Sequence, residues 1–123
     1  MWGKPYYFLL LNDGTVSGCG RNADGQLTGV SESIKSVTDL GITGVKSVSC
    51  GFKHTVFLLN DGTVRCCGNN EYGQFGNGTT SAQNRLLVIP NLSKVFKVIC
   101  GSYFTFFLFS DGSIKSCGYN YYG

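Results

Sequence analysis

Proline is scarce in this sequence, at 2 of 123 residues, and histidine, methionine and tryptophan occur once each. The single histidine, His54, leaves no second imidazole for a catalytic dyad or a histidine-based metal site. Charge is thin as well: Asp, Glu, Lys and Arg make up 14% of the residues, 10 basic against 7 acidic, for a net charge of +3. The charges are scattered and form no basic tract, so nucleic acid is not an expected partner. The longest apolar stretches, such as Tyr6 to Leu11 and Phe106 to Phe109, fall far short of the roughly 20 residues of a membrane helix. Met1 to Pro5 carries neither a cationic leader nor a small-residue cleavage site, so it does not read as a signal peptide. There is no Cys-x-x-Cys pair, no Gly-Lys-Ser/Thr after a glycine string and no sustained apolar period of 3.6. Zinc ribbons, phosphate loops and amphipathic helices are thereby disfavoured.

Glycine, at 18 residues, and aromatics, at 14%, are plentiful, which suits short strands joined by glycine turns. The chain also matches itself. Leu10-Leu11-Asn12-Asp13-Gly14-Thr15-Val16 recurs as Leu58-Leu59-Asn60-Asp61-Gly62-Thr63-Val64 and again as Leu108-Phe109-Ser110-Asp111-Gly112-Ser113-Ile114. Gly3, Gly51 and Gly101 keep the same offsets, as do Cys19, Cys67 and Cys117, and Gly25, Gly73 and Gly123. A period of about fifty residues marks a repeat architecture. Length suits a single unit, and the copies are read as 1–48, 49–98 and a partial 99–123.

Each Asp-Gly lies between two strand-like runs and predicts a tight hairpin of type I′, whose two central residues both take positive φ. The strand before each turn is apolar at nearly every position, which implies cover on both faces. Val45 to Cys50 and Val95 to Cys100 supply an earlier strand, and Arg85 to Ile89 an outer one. Four antiparallel strands, repeated and stacked face to face, make the blades of an all-β propeller. The chain enters on the second strand of one blade and stops after the third of another. Its end sheets are therefore expected to lack neighbours, and the chain to self-associate or to belong to a larger propeller.

Cys50-Gly51-x-x-His54-Thr55, then Asp61-Gly62, then Gly68-x-Asn70-x-x-Gly73-Gln74-Phe75-Gly76-x-Gly78, resembles the regulator of chromosome condensation repeat. The first copy keeps Gly20 to Leu27 of that pattern and has Thr28 for its next glycine. The resemblance implies a seven-bladed β-propeller, of which this chain supplies about two and a half blades of four-stranded antiparallel sheet. It also implies a module that presents loops to partner proteins, without shared catalytic residues. The family usually places Trp where Cys19, Cys67 and Cys117 stand, and the hairpin that the founding member inserts into its partner GTPase has no candidate. A guanine nucleotide exchange factor or chromatin binder, and a carbohydrate-binding or adhesive head, are the alternative readings.

The residues themselves offer little chemistry. The six cysteines fall mostly on repeat positions, and Cys66 and Cys67, adjacent on a strand, point to opposite faces, so they read as small core residues rather than disulfides or ligands. Free thiols in that number favour a reducing compartment such as the cytoplasm. His54 aligns with Tyr6 and Phe104 and reads as a packing position. Asp13, Asp61 and Asp111 have a local task in the turns, accepting hydrogen bonds from nearby amides. No catalytic residue, cofactor or metal is expected, and the partner is a protein, or further blades of the same propeller, or another copy of the chain. Asn77-Gly78-Thr79 and Asn91-Leu92-Ser93 fit a glycosylation sequon, relevant only on a eukaryotic secretory route.

Strand direction locates a binding face. The first and third strands of a meander run the same way, so the loops leaving them share one face, opposite the Asp-Gly turns. That face collects Lys4, Phe52, Lys53, Ser102 and Tyr103 from the first loop, and Arg21, Asp24, Asn69, Glu71, Tyr72, Tyr119, Tyr121 and Tyr122 from the second. Its mixture of tyrosines and charges matches interface hot spots. The expected partner-binding residues are Arg21, Lys53, Glu71, Tyr72, Tyr103, Tyr119, Tyr121 and Tyr122.

Overall fold

The computed structural model describes residues 6–20, 27, 34–80, 83–89 and 92–119. Among these every regular element is a strand: β1 (Tyr6–Leu10), β2 (Val16–Gly20), β3 (Ile34–Asp39), β4 (Val45–Cys50), β5 (His54–Leu59), β6 (Val64–Gly68), β7 (Gln83–Val88), β8 (Val95–Cys100), β9 (Phe104–Phe109) and β10 (Ile114–Gly118). They form three antiparallel meanders, β1-β2-β3, β4-β5-β6-β7 and β8-β9-β10. The middle sheet is a complete four-stranded blade. The others show three strands each among the described residues, the first holding the second to fourth positions and the last the first to third.

Register repeats along with sequence. Leu10 faces Val16, Leu58 faces Val64 and Leu108 faces Ile114. Irregularities fall at matching places too, between Val45 and Ser47 in β4 and between Val95 and Lys97 in β8. Each bulge turns its extra residue outward, and the two meet, Lys46 Nζ lying 4.9 Å from the centroid of the Phe96 ring.

The hairpins form at the Asp-Gly sites but not as type I′ turns. Gly14, Gly62 and Gly112 take φ of 82°, 82° and 87°, whereas no Asp before them has a positive φ. In the first turn the Gly14 amide donates to the Leu11 carbonyl at 3.0 Å and the Leu11 amide to the Thr15 carbonyl at 2.9 Å. That is a three-residue loop closing on a left-handed glycine, and Leu59–Thr63 and Phe109–Ser113 repeat it. Asp stays right-handed because its carboxylate then accepts from the backbone amide two residues on, at 3.0 Å for both Thr15 and Thr63 and 2.8 Å for Ser113.

The sheets stack face to face around two apolar clusters. Val56 and Leu58 of β5 point into one, with Val64, Cys66, Phe75, Val95, Val98 and Phe107. Phe57 and Leu59, alternating with them, point into the other, with Val16, Ile42, Val45 and Cys67. All six residues of β5 are buried, as a strand covered on both faces requires. The expectation of two-sided cover does not hold for the matching strands. Leu9 of β1 is 51% exposed and Phe106 of β9 is 41% exposed, because among the described residues only one neighbouring sheet covers each. Backbone bonds tie each turn to the next sheet, Val45 N–H to the Gly14 carbonyl and Val95 N–H to the Gly62 carbonyl, both at 3.1 Å.

Candidate functional site

The loops after β4, β6, β8 and β10 emerge together, opposite the Asp-Gly turns, since alternate strands of each meander run the same way. Backbone bonds fix them to one another: Asn69 N–H donates to the Lys53 carbonyl at 2.9 Å, Tyr119 N–H to the Tyr103 carbonyl at 2.9 Å, and Phe52 N–H to the Ser102 carbonyl at 3.0 Å. The longest of these loops, 69–79, is shaped by its own side chains. Buried Asn70 accepts from the Phe75 amide at 2.8 Å and donates to the Thr79 carbonyl at 2.9 Å. Gln74, also buried, accepts from the Tyr72 amide at 2.8 Å and donates to Asn69 Oδ1 at 3.0 Å.

The Gly73-Gln74-Phe75-Gly76 segment works as a joint between sheets. Phe75 is buried in the cluster against β9, and the Gln74 carbonyl accepts from the Thr105 hydroxyl at 2.8 Å and the Cys117 thiol at 3.2 Å. A β-carbon on Gly76 would stand 3.0 Å from Cys117 Sγ, so the loop lies on the neighbouring sheet at backbone distance. The sequence presents this segment as part of the repeat pattern, without signalling that Asn70 and Gln74 hold the loop that carries Tyr72.

On this frame four rings from two sheets meet. Tyr72 lies 4.7 Å from Tyr119 and 5.2 Å from Tyr103 between centroids, Tyr103 lies 6.5 Å from Tyr119, and Phe52 lies 5.9 Å from Tyr103. The three tyrosine pairs meet at 63° to 71°, edge-to-face arrangements that suit the ring quadrupole, and Phe52 is tilted at 55° to Tyr103. Phe52, Tyr72 and Tyr119 are exposed despite these contacts. Lys53 Nζ hovers 6.0 Å above the Phe52 ring. Of the expected partner-binding residues, the structure thus brings Lys53, Glu71, Tyr72, Tyr103 and Tyr119 together, and Phe52, expected on this face but not among them, is the ring that joins Lys53 to Tyr103. An apolar ring in a glycine-flanked loop was the sequence signal for Phe52. Arg21, Tyr121 and Tyr122 lie outside the described residues.

The other candidate chemistry is accounted for by packing. His54 is fully buried with its ring over Gly51, and its Nε2 lies 3.0 Å from Thr105 Oγ1. Since the Thr105 hydroxyl donates to Gln74, its oxygen accepts here, which puts the proton on Nε2. At the matching position the Tyr6 hydroxyl donates to the His54 carbonyl at 2.7 Å and lies 2.9 Å from that of Gly51. Cys66 and Cys67 are fully buried in opposite clusters, while Cys19, Cys50, Cys100 and Cys117 are half-buried, and none of the six is in a disulfide. Burial pushes the Cys66 thiol far up and, with Cys100 nearby, that of Cys117 up to about 11. Among the described residues no cluster of His, Cys, Asp or Glu is arranged to hold a metal ion.

Two family models, both described as the regulator of chromosome condensation (RCC1) repeat, match the chain, one at residues 45–74 and 97–123 and the other at 61–108. The fold is similar to that of human WBSCR16, with a TM-score of 0.85 and 28% identity over 96% of this chain and 32% of that one. It is also similar to yeast RCC1 (Prp20) bound to Kap60, at TM-score 0.79 and 22% identity over 94% of this chain and 28% of that one. Prp20p from Saccharomyces cerevisiae gives 0.74 and 23% over 94% and 29%. The chain spans about a third of the length of these structures. A comparison with curated proteins returned no match.

Proposed function

We propose that this chain, which belongs to the regulator of chromosome condensation repeat family, acts as a protein-interaction scaffold whose binding face is the loop face bearing Phe52, Tyr72, Tyr103 and Tyr119. The observation that carries the reading is the exposed ring cluster itself. Folding the sheets needs Phe75 and Gln74 in that loop, yet Tyr72 and Tyr119 stay 40% and 41% exposed, and three tyrosines from two sheets converge where one partner surface could cover them. Tyrosine supplies large contact area at small entropic cost and is enriched in interface hot spots. The solved relatives point to the same class of partner: yeast RCC1 (Prp20) is found bound to Kap60, and Prp20p is described with its binding to Gsp1p and histones. Those partners are proteins, and nucleotide exchange or chromatin binding by this chain remains a narrower form of the same proposal.

The test compares two sets of substitutions in capture of a protein partner. Tyr72→Ala with Tyr119→Ala should weaken capture by about tenfold or more, since a hot-spot residue contributes over about 1.4 kcal/mol. Asn60→Ala with Ser110→Ala, on the turn face, should leave it unchanged. The reverse pattern would place the binding face on the turns.

A further inference from the structure

The proposed binding face carries a carboxylate at its rim. Glu71 adjoins Tyr72 and is hydrogen-bonded to its phenol, and its charge is the chief influence lifting that phenol above the ordinary tyrosine range. The three turn carboxylates are differently engaged, each accepting from the Thr or Ser two residues on, at the other end of the sheets. Cations are distributed the opposite way. Lys46 and Lys94 line a groove beside Asp61 and Gly62 at the turn end, Lys115 lies over Phe109, and Lys97 lines the outer face of the last sheet. Of the lysines whose side chains are described, Lys53 reaches the tyrosine face, and it stands over Phe52, the ring that pairs with Tyr103. The Tyr72 and Tyr119 end therefore combines exposed ring faces, negative on their quadrupole, with a neighbouring carboxylate and, among the described side chains, no lysine of its own.

We propose that this end of the cluster takes an arginine side chain of the partner protein, its guanidinium stacked on the Tyr72–Tyr119 pair and donating to the Glu71 carboxylate. The inference rests on the binding-face reading above and names the partner chemistry of that same site. A planar, weakly hydrated guanidinium can stack and donate at once, which a lysine ammonium does less well. Rings inclined at 63° to 71° offer several small faces rather than one flat platform, which suits a guanidinium better than a pyranose.

The probe is the pentapeptide Gly-Arg-Gly-Arg-Gly, titrated into protein with labelled tyrosine rings and followed by nuclear magnetic resonance. The arginine peptide should shift the ring signals of Tyr72, Tyr103 and Tyr119. The same peptide with citrulline, neutral and isosteric, should bind at least about fivefold more weakly, and Glu71→Gln should weaken the arginine peptide about threefold, the scale of exposed cation–π and ion pairs. Equal binding of the citrulline peptide, no loss in Glu71→Gln, or ring shifts produced by a neutral hexasaccharide in place of the arginine peptide would overturn the inference. A captured partner that is lost on Tyr72→Ala with Tyr119→Ala but retained by Glu71→Gln sinks the arginine assignment alone. One retained by both variants sinks the binding face as well.

Discussion

A β-carbon at Gly101 would fall inside the Phe104 ring, and one at Gly51 would run into the His54 imidazole. These glycines are there because the first side chain of the following strand lies flat across their backbone. Gly101→Ala should destabilise the protein by about 1–3 kcal/mol, the usual cost of overpacking. In a Phe104→Ala background the same change should cost little, since the three nearest atoms at Gly101 all belong to that ring. Chemical denaturation of the four variants measures this, and an additive double mutant would refute the ring contact. Thiol chemistry is settled at the same scale. Cys66 and Cys67 should resist a thiol reagent until the protein unfolds, Cys117 should label slowly at neutral pH, and a reducing agent should leave the melting temperature unchanged. Rapid native labelling of all six would contradict the packing.

At the scale of the element, the hairpins were legible because their determinants are local. Asp-Gly between apolar strands specifies a reversal, and the Asp carboxylate accepting from Thr15, Thr63 or Ser113 follows from short-range geometry. The turn subtype was not legible, because Asp-Gly serves both a two-residue loop and a three-residue loop closing on left-handed glycine. The carbonyls of Gly14 and Gly62 also accept from Val45 and Val95 of the next sheet, contacts that no reading of the hairpin alone contains. The bonds from Thr15, Thr63 and Ser113 hold the three aspartates below the ordinary carboxylate range. A folded-state pKa below the unfolded one stabilises the fold above the unfolded value and is lost as pH falls through the folded value. Stability should therefore drop below about pH 4, the free Asp range, and Asp13→Asn, Asp61→Asn and Asp111→Asn together should flatten that limb. Melting temperatures across pH 2.5–7 test it, and an unchanged acid limb in the triple variant would assign the loss elsewhere.

Over the whole molecule, two outer sheet faces have no neighbouring sheet among the described residues. Val56, Leu58 and Val64 are buried against the last sheet, while their counterparts Phe106, Leu108 and Ile114 line an apolar groove of about 290 Å³ on its far side, with Ile114 66% exposed. Continuous apolar runs told that both faces of a strand are built for cover; they could not tell which neighbours stand beside them. Tyr72 meeting Tyr119 was likewise half legible, since strand direction put both on one face but contact across two copies needs the stacking of sheets. The 123-residue chain on its own should associate through these faces into a mixture of sizes, because the outer faces differ and do not close a symmetric pair. Phe106→Lys with Ile114→Lys should shift sedimentation toward monomer, and a monodisperse wild-type monomer at high concentration would contradict the exposed-face account.

The claim that one end of the sheets does the binding is met most directly by hydrogen–deuterium exchange of the chain with and without a captured partner. The account predicts protection at Phe52, Lys53, 69–76, Ser102, Tyr103 and Tyr119, with the turns at 12–15, 60–63 and 110–113 unchanged. Protection confined to those turns, with the tyrosine loops exchanging as in the free chain, would contradict it.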